Sequence, residues 1–495
     1  MPLHSQPASL ESQCIRKIGT LVSQTFSRLL QPENAKRRRH VKSTCKLLKQ
    51  IIHYNIPHVL ANPVTTHLLR VLDDTQAYKP YLLTSSFFKK LVQLFIHAIL
   101  SPEITVLEIT WQWKFVGNFV PLELRHLSNL KVLSLCESDY FDGERSSFEV
   151  SGCMKQFAHL ENLTVQSKCT NEIISAVSRC CKKLKLLDIS GSFSVTDASV
   201  EDIVKLDLLQ SIDVTHTGLT DAGRTRLLSG LSQHSPQCLK SYACNHICNS
   251  EIDVLVNNFP KLNSLSVRFI NININLEIFQ RFNDLQIFKT DNYLHNFHRD
   301  LTQFVGRNLV ELQLVGYELN VSHLVEGCPL LTRLTLKMDC IHPENEILTF
   351  YKLKHLTLVT NNSVGTAFLL TCCPNLVSLQ LMTIPAFYNQ FYLEMAVLKN
   401  PLKYLKELSI GSISNDLPPA TLWFIAIHWD LVSCKVMLQN SKRRDQYKGF
   451  PGIQVDCDLW MKINERVHFT DIRRKPKKQN QQKGTRDRLY TYAKT

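Results

Sequence analysis

A short hydrophobic pattern recurs along most of the 495-residue chain. It consists of an apolar residue, two residues of any type, an apolar residue, one residue of any type and a final apolar residue. Successive copies start 22 to 30 residues apart. A chain of this length exceeds what one globular core usually supports, so the pattern predicts a repeat array. Thirteen copies begin at Ile104, Leu130, Leu160, Leu184, Leu209, Leu239, Leu262, Leu285, Leu309, Leu331, Leu353, Leu376 and Leu405.

Each copy predicts a short strand, because apolar residues two apart share one face of a strand. A helix-length segment such as Thr170 to Cys181 follows. Cysteine-proline pairs at Cys328 and Cys373 precede strands, and Thr-Asp pairs stand where helices begin. The pattern resembles the cysteine-containing class of leucine-rich repeats, over roughly residues 104 to 415. This resemblance implies a curved α/β solenoid, a scaffold common in ubiquitin-ligase receptors.

The concave face of such a solenoid carries the residue between the last two apolar positions of each copy. From the second copy to the thirteenth, these residues are Ser134, Thr164, Asp188, Asp213, Ala243, Ser266, Lys289, Gln313, Thr335, Thr357, Gln380 and Ser409. Lys289 is the single cation among them, which argues against nucleic-acid binding on this face. We expect a protein substrate to contact the more polar members, although exposed strand positions are also polar without any partner. The candidate substrate-binding residues are Asp188, Asp213, Lys289, Gln313, Thr335, Thr357 and Gln380.

A helical pattern precedes the repeats, with Leu10, Cys14 and Ile18 spaced four apart along one helix face. Together with Ser9 they match the elongin-binding box: a small residue, a leucine, three residues, a cysteine, three residues and an aliphatic residue. The resemblance implies that Leu10 fills a pocket on elongin C. An ordinary core stripe is the alternative interpretation.

A second motif follows at Ile56, Pro57, Leu60 and Val64. It resembles the companion cullin-2 box, an apolar-proline pair followed by apolar residues four and eight positions beyond the first. Pro57 is suited to the first turn of a helix, which places Leu60 and Val64 on one face. Pro63 departs from an ideal helix interior.

The order of the two boxes and the repeats resembles the Zyg and Zer family of substrate receptors. That resemblance implies a substrate-recognition subunit of a cullin-2 ubiquitin ligase, with elongin C, elongin B and a protein substrate as partners. Members of that family continue into an armadillo domain that this chain is expected to lack, so their substrate preference is not carried over. The expected divisions are residues 1–103 for the helical region, 104–435 for the solenoid, 436–470 for a C-terminal cap and 471–495 for a basic tail.

Catalysis by the chain itself is not expected, because phosphate-binding loops, nucleophile elbows and zinc-protease motifs are absent from its sequence. The spacing of its 16 cysteines predicts buried, reduced thiols and neither a disulfide framework nor a metal site. No cofactor is expected. Without a signal peptide or a membrane span in the sequence, we expect a cytoplasmic or nuclear protein.

Half of the net charge of +14 lies in the tail, where nine Lys or Arg residues face two Asp residues. The tail is therefore expected to be disordered, and any nucleic-acid contact to be confined to it. Two alternatives remain. Residues 56–72 could begin a degenerate F-box that binds Skp and cullin-1, or the chain could be a non-ligase or nuclear scaffold.

Overall fold

The computed structural model describes residues 9–30, 40–76, 85–109, 113, 116–136, 150–234, 238–270, 276–291, 302–344, 348–360, 362–383, 396 and 398–412, with the backbone of 433–438 and 453–456. All structural statements below refer to these residues. The basic tail and most of the expected C-terminal cap lie outside them. No helix in these ranges is long and apolar enough to span a membrane.

Four helices form the region ahead of the repeats: α1 (Leu10–Leu30), α2 (Val41–Asn55), α3 (His58–Gln76) and α4 (Ser86–Ile99). Helix α1 packs along α3, and α2 packs along α4. Gly19 lies at the closest approach of α1 to α3, where a Cβ atom would stand 2.5 Å from Nε2 of His67. A side chain at this position would therefore force the His67 ring to shift. The predicted helical region is present.

The core of this region is aromatic. Phe26 of α1 is fully buried, and its ring meets Phe95 edge to face at a centroid distance of 4.9 Å and Phe88 at 6.3 Å. Such edge-to-face pairs add to the free energy gained by burying the rings. The rings tie α1 to α4, so the four helices form one packed unit.

Parallel strands follow one another in chain order to form a 15-stranded sheet. This is the topology of a leucine-rich-repeat solenoid, and the predicted α/β solenoid is confirmed. The strands are β1 (Val106–Ile109), β2 (Val132–Leu135), β3 (Asn162–Val165), β4 (Leu186–Asp188), β5 (Ser211–Asp213), β6 (Ser241–Ile247), β7 (Ser264–Ile270), β8 (Ile287–Asp291), β9 (Glu311–Asn320), β10 (Arg333–His342), β11 (His355–Thr360), β12 (Ser378–Thr383), β13 (Glu407–Ser412), β14 (Ser433–Leu438) and β15 (Ile453–Asp456).

Short helices connect the strands. Those with α-helical geometry are α5 (Val120–Glu123), α6 (Asn171–Cys180), α7 (Val200–Val204), α8 (Asp221–His234), α9 (Asn249–Asn258), α10 (Val321–Gly327) and α11 (Ser363–Thr371). Other repeats use 3₁₀ turns: Val116–Asn118, Leu124–His126, Met154–Gln156, Asp197–Ser199, Leu276–Arg281 and Gly306–Asn308. Neighbouring α6, α7, α8 and α9 pack in series, as expected for stacked repeats.

The thirteen residues that begin the predicted repeat copies are all buried, each at most 3% exposed. They lead into β1 to β13, whose inward residues align across the sheet. Leu312 of β9 is one example, because the strand register pairs it with Phe288 on one side and Leu334 on the other, and all three are buried. The repeat register predicted from the sequence is therefore confirmed.

Two strands were not predicted. β14 pairs in parallel with β13, and β15 pairs with β14, so the sheet continues to Asp456. The solenoid thus enters residues 436–470, which the sequence analysis assigned to a separate cap. The repeat pattern is in fact present at Leu431 to Val436 and at Phe450 to Val455, where it marks both strands.

The two Thr-Asp pairs expected to cap helices behave differently. Thr220 caps α8, because its Oγ1 accepts a hydrogen bond from the backbone N–H of Gly223 at 3.0 Å. Thr196 makes no such capping bond. Instead the Asp197 carboxylate accepts hydrogen bonds from the N–H of Thr220 at 2.9 Å and its hydroxyl at 2.6 Å. The Thr196-Asp197 pair therefore links two consecutive repeats through Asp197.

The expectation of buried thiols holds at four repeat positions. Cys181, Cys244, Cys328 and Cys373 are each at most 1% exposed. Burial raises the pKa of Cys181 and of Cys328 to about 12, so both remain protonated at neutral pH. These cysteines act as small core residues.

Candidate partner-binding surfaces

The first predicted box lies at the start of α1. Ser9 precedes the helix, and its Oγ accepts a hydrogen bond from the N–H of Ser12 at 3.2 Å, which is the geometry of a helix cap. The small residue of the box therefore begins the helix that presents the other box residues.

Helix α1 buries one face and exposes the other. Val22 and Phe26 are buried, and Ile18 is partly buried against the same core. In the first turns of the helix, however, Leu10 is 76% exposed and Cys14 is also exposed. A stripe of ordinary core residues would be buried, so Leu10 and Cys14 do not belong to the core of this chain.

Leu21 extends this exposed stripe. It lies seven residues after Cys14, which places it on the same face two turns further on, and it is 57% exposed. Leu10, Cys14 and Leu21, here called the α1 stripe, are exposed apolar side chains on this face, which also carries the exposed Lys17 between Cys14 and Leu21. The box pattern ends at Ile18, so the sequence analysis did not select Leu21.

The second predicted box lies at the corner between α2 and α3. Pro57 is exposed directly before α3, whereas Ile56 and Leu60 are partly buried against the core. Val64 is only 2% exposed and belongs to the core. Helix α3 continues through Pro63. Val64 therefore cannot contact a partner while the helices stay packed, and this part of the prediction needs correction.

Other apolar side chains stand exposed near this corner. Leu47, Ile51 and Tyr54 are spaced four and three residues apart on the outer face of α2, and Val59 follows in the first turn of α3. Tyr54 and Val59 are each 83% exposed. We call these four residues the corner patch. These four side chains are exposed, whereas Val64 is buried. A partner that binds at the second box would therefore contact the corner patch and not Val64.

The predicted concave row is present as a continuous ladder. Across the sheet the strand register pairs Ser134, Thr164, Asp188, Asp213, Ala243, Ser266, Lys289, Gln313, Thr335, Thr357, Gln380 and Ser409 one after another. All seven candidate substrate-binding residues therefore lie in one row. Lys289 is not an unpaired cation, because its Nζ lies 2.7 Å from Oε1 of Glu311.

A second row lies two residues further along several strands and was not found from the sequence. It includes Asn245, Arg268, Asp291, Val315 and Lys337. These strands continue beyond the last apolar residue of the repeat pattern, where the pattern places no constraint. Alternation of residues across a strand would have identified this row once the longer strands were recognised.

Charges in the second row are only partly balanced. Nε of Arg268 lies 3.5 Å from Oδ2 of Asp291, and the guanidinium also contacts the ring of His216. Burial lowers the pKa of Lys337, while Asp291 and Asp339 oppose that shift. No carboxylate among the described residues lies within 4.0 Å of the Lys337 ammonium group. This part of the concave face therefore presents a partly desolvated cation.

An acidic pair lies at the other end of this region. Asp188 and Asp213 are register partners on adjacent strands, and burial together with the Asp188 charge raises the pKa of Asp213 to about 6. The N–H of Thr215 donates a hydrogen bond to Asp213 at 2.9 Å, which partly offsets this shift. The concave face thus has a carboxylate pair on β4 and β5 and cationic groups on β7 and β10.

The raised pKa of Asp213 predicts a pH-dependent cost to folding. Between the usual value of 3.8 and about 6, the unfolded chain ionises this group before the folded chain does. The cost is therefore complete above about pH 6 and absent below about pH 4. We expect Asp213→Asn to raise the free energy of unfolding by about 2 kcal/mol at pH 7, and by little at pH 4.

Urea unfolding of the wild-type and variant chains at both pH values measures this difference. Asp253→Asn is the matched control, because Asp253 is exposed on α9. The control should leave the free energy of unfolding unchanged within about 0.5 kcal/mol. Equal stabilities of Asp213→Asn and wild type at pH 7 would contradict the shift.

Neither a sequence-family profile nor a curated protein matches the chain. Among solved structures it is similar to a chain of the yeast Rad7–Elc1 complex, with 15% identity over 91% of this chain and 98% of that chain and a TM-score of 0.44. It is also similar to the internalin InlF of Listeria monocytogenes, with 17% identity over 70% of this chain and 91% of that chain and a TM-score of 0.35. At these identities and scores, no partner of either protein is carried over to this chain.

Proposed function

We propose that the chain is the substrate-receptor subunit of a cullin-RING ubiquitin ligase, in which α1 binds elongin C. The exposed α1 stripe carries this proposal. It places Leu10 and Cys14 of the elongin box on the solvent face of a helix that is otherwise well packed. A helix with an exposed apolar face is suited to insertion into a hydrophobic groove of a partner.

Energetics favour Leu10 as an anchor. Burying a leucine side chain that is 76% exposed stabilises a complex by roughly 1.5 to 2 kcal/mol through the hydrophobic effect alone. Without a partner this surface stays in contact with water. In the proposed complex elongin C covers Leu10, Cys14 and Leu21, with elongin B bound to elongin C.

Cullin-2 would then meet the corner patch and Pro57. Val59 and Tyr54 are the most exposed members of that patch, and they flank the apolar-proline pair of the second box. We therefore place the cullin contact on outward side chains at the corner, and leave Val64 to its structural role in the core.

The substrate in this proposal is a protein held on the concave face. Its contacts would include the predicted residues, from Asp188 and Asp213 to Gln380, and the second row with Arg268 and Lys337. The receptor would contribute proximity, because holding a target lysine near the activated ubiquitin raises its effective concentration. We expect this role in the cytoplasm or the nucleus.

The F-box alternative is disfavoured by burial within α3. Leu68, Leu69 and Leu72 lie in the segment that would bind Skp, and each is at most 1% exposed. These three leucines are buried in the core of the helical region, so the segment offers Skp little exposed apolar surface. The scaffold alternative relies on the basic tail, which lies outside the described residues.

The test is co-purification of elongins B and C with the tagged full-length chain. We expect Leu10→Ala combined with Cys14→Phe to reduce elongin recovery by more than roughly tenfold, because an anchor is removed and its neighbour overfills the groove. Leu398→Ala is the matched control, since Leu398 is 74% exposed but lies in the solenoid. Circular dichroism checks that each variant is folded.

A second arm adds cullin-2 to the same purification. Val59→Asp should lower the recovery of cullin-2 and leave that of the elongins unchanged, because Val59 is exposed at the corner and outside the α1 stripe. If the wild-type chain brings down Skp, or neither adaptor, the proposed function is wrong whatever the variants do.

A further inference from the structure

A polar cavity lies where the helical region meets the first repeats. Its volume is about 200 Å³, and it opens between α2, α4 and the 3₁₀ turn after α5. None of its residues belongs to the two boxes or to the concave rows. The lining is Lys49, His53, His97, Leu100, Pro102, Glu123 and His126. Three imidazoles and a carboxylate thus face one small space.

Three of these side chains have the spacing of metal ligands. Nδ1 of His97 lies 2.8 Å from Oε2 of Glu123, and one donor atom each from His97, Glu123 and His126 lie within 4.8 Å of one another. Ligand atoms of tetrahedral zinc, with bonds of about 2.0 to 2.1 Å, are separated by roughly 3.3 Å. The first pair is close to this spacing. His126 is exposed, so its ring can rotate toward the pair.

Neighbouring groups support a ligand at this point. Nε2 of Gln93 donates a hydrogen bond to Oε1 of Glu123 at 3.0 Å, which orients the carboxylate and leaves Oε2 beside His97. Such outer contacts are typical of groups that hold metal ligands in place. Nε2 of His53, which lines the same cavity, is buried without a hydrogen-bond partner among the described residues. A buried polar atom without a partner costs free energy, and a water or ligand in the cavity would remove that cost.

We propose that His97, Glu123 and His126 bind a zinc ion, with water in the fourth position. Two nitrogens and a carboxylate oxygen suit zinc, a borderline metal that accepts both donor types. His97 comes from α4, whereas Glu123 and His126 come from the segment between β1 and β2. The ion would therefore clamp the helical region to the first repeats. The sequence analysis missed this site because its ligands form no short motif.

Lys49 competes with the metal in this arrangement. Its Nζ lies 3.0 Å from Nε2 of His97, and because an ammonium group only donates, Nε2 must accept. Nδ1 then carries the proton and donates to Glu123. Zinc at Nδ1 displaces that proton, and the ring becomes protonated at Nε2, so Lys49 must move away. Removing the ammonium group should strengthen zinc binding.

The experiment is titration of the full-length chain with zinc against a chromophoric chelator. We expect one equivalent to bind, His126→Ala to weaken binding by at least roughly tenfold, and Lys49→Met to tighten it. His159→Ala is the matched control, because His159 is an exposed histidine in another repeat and should leave the affinity unchanged. Circular dichroism of each variant separates loss of the site from loss of folding.

Cysteines are the main competing ligands in a chain with 16 of them. Cobalt replaces zinc to distinguish the donors, because thiolate ligation adds an intense near-ultraviolet band that imidazole and carboxylate do not produce. Binding that gives this band, that persists in His126→Ala, or that is lost in Cys14→Ser would overturn the proposal, as would the absence of zinc binding. The three proposed ligands lie outside the α1 stripe, so the presence or absence of zinc binding in the wild-type chain is independent of the elongin test.

Discussion

Replacing Leu312 with Asp should remove the cooperative unfolding transition of the central repeats or lower the free energy of unfolding by several kcal/mol. Leu312 is fully buried in β9 between Phe288 and Leu334 of the neighbouring strands. An aspartate there would be a charge without a partner in an apolar layer. Each repeat is stabilised mainly by its neighbours, so the damage should spread to the adjacent repeats.

Gln313→Asp supplies a matched control one residue away. Gln313 lies on the concave side of the same strand and is partly exposed, so the same acidic group remains hydrated there. Thermal unfolding followed by circular dichroism compares the two variants, and hydrogen exchange locates the affected repeats. A melting curve of Leu312→Asp that matches those of wild type and Gln313→Asp would show that the register of β9 is wrong.

The sequence alone predicts this inner face because one simple rule governs it. An apolar residue at every second position of a strand must face the core, and the pattern repeats the same choice in each unit. Leu312, Leu334 and Leu356 occupy equivalent positions, and the strand register aligns them. The concave residues between the apolar positions follow by alternation, which explains why twelve consecutive members of their row, from Ser134 to Ser409, were predicted. The row also continues to Glu108 on β1, Lys435 on β14 and Gln454 on β15.

The repeat pattern does not specify how long each strand is. β9 and β10 continue to Asn320 and His342, well beyond the last apolar residue of each copy, because their backbones keep pairing with each other. Lys337 lies in this extension. Pairing of backbones depends on two repeats at once, so the pattern of either repeat by itself does not predict the second concave row.

In the helical region, the burial of each helix face could not be predicted from the sequence. Periodicity identifies the residues on one face of α3 but not whether that face meets solvent or the core. Asn62 settles the question, because its Oδ1 accepts hydrogen bonds from the N–H groups of Thr105 and Val106 at 2.9 and 3.2 Å. These bonds hold α3 against the start of β1. Val64 is buried in the resulting core, while Val59 stays exposed.

Contacts between residues from different repeats were the least predictable. Arg224 of α8 and Glu251 of α9 are 27 positions apart, and neither matches a motif. In the structure Nε of Arg224 donates to Oε1 of Glu251 at 2.8 Å, with both side chains buried. Oε1 also accepts from the hydroxyl of Tyr242 at 3.1 Å, and Oε2 accepts from the N–H of Cys248 at 3.0 Å.

Every polar group of this network has a partner. Arg224 also donates to the carbonyl oxygens of Leu219 at 3.3 Å and His246 at 2.9 Å. Burial raises the pKa of Tyr242 well above its usual value, so its hydroxyl keeps the proton that it donates to Glu251. The carboxylate therefore joins consecutive repeats and also caps α9 through Cys248.

Glu251→Ala should consequently destabilise the solenoid by about 3 kcal/mol, because it removes the buried counter-ion of Arg224 and leaves only the exposed Asp221, whose Oδ1 lies 2.7 Å from the guanidinium, as its carboxylate partner among the described residues. Tyr242 and Cys248 would lose their acceptor as well. Urea unfolding at pH 7 measures the loss. Replacing both charges, as in Arg224→Met with Glu251→Leu, should recover most of the lost stability, since apolar residues of similar size remove the unpaired charge. The measurement assigns the lost stability to the Arg224 charge only if the double variant has a higher free energy of unfolding than Glu251→Ala. Should both lose the same stability, the cost would come from Tyr242 and Cys248 and not from Arg224.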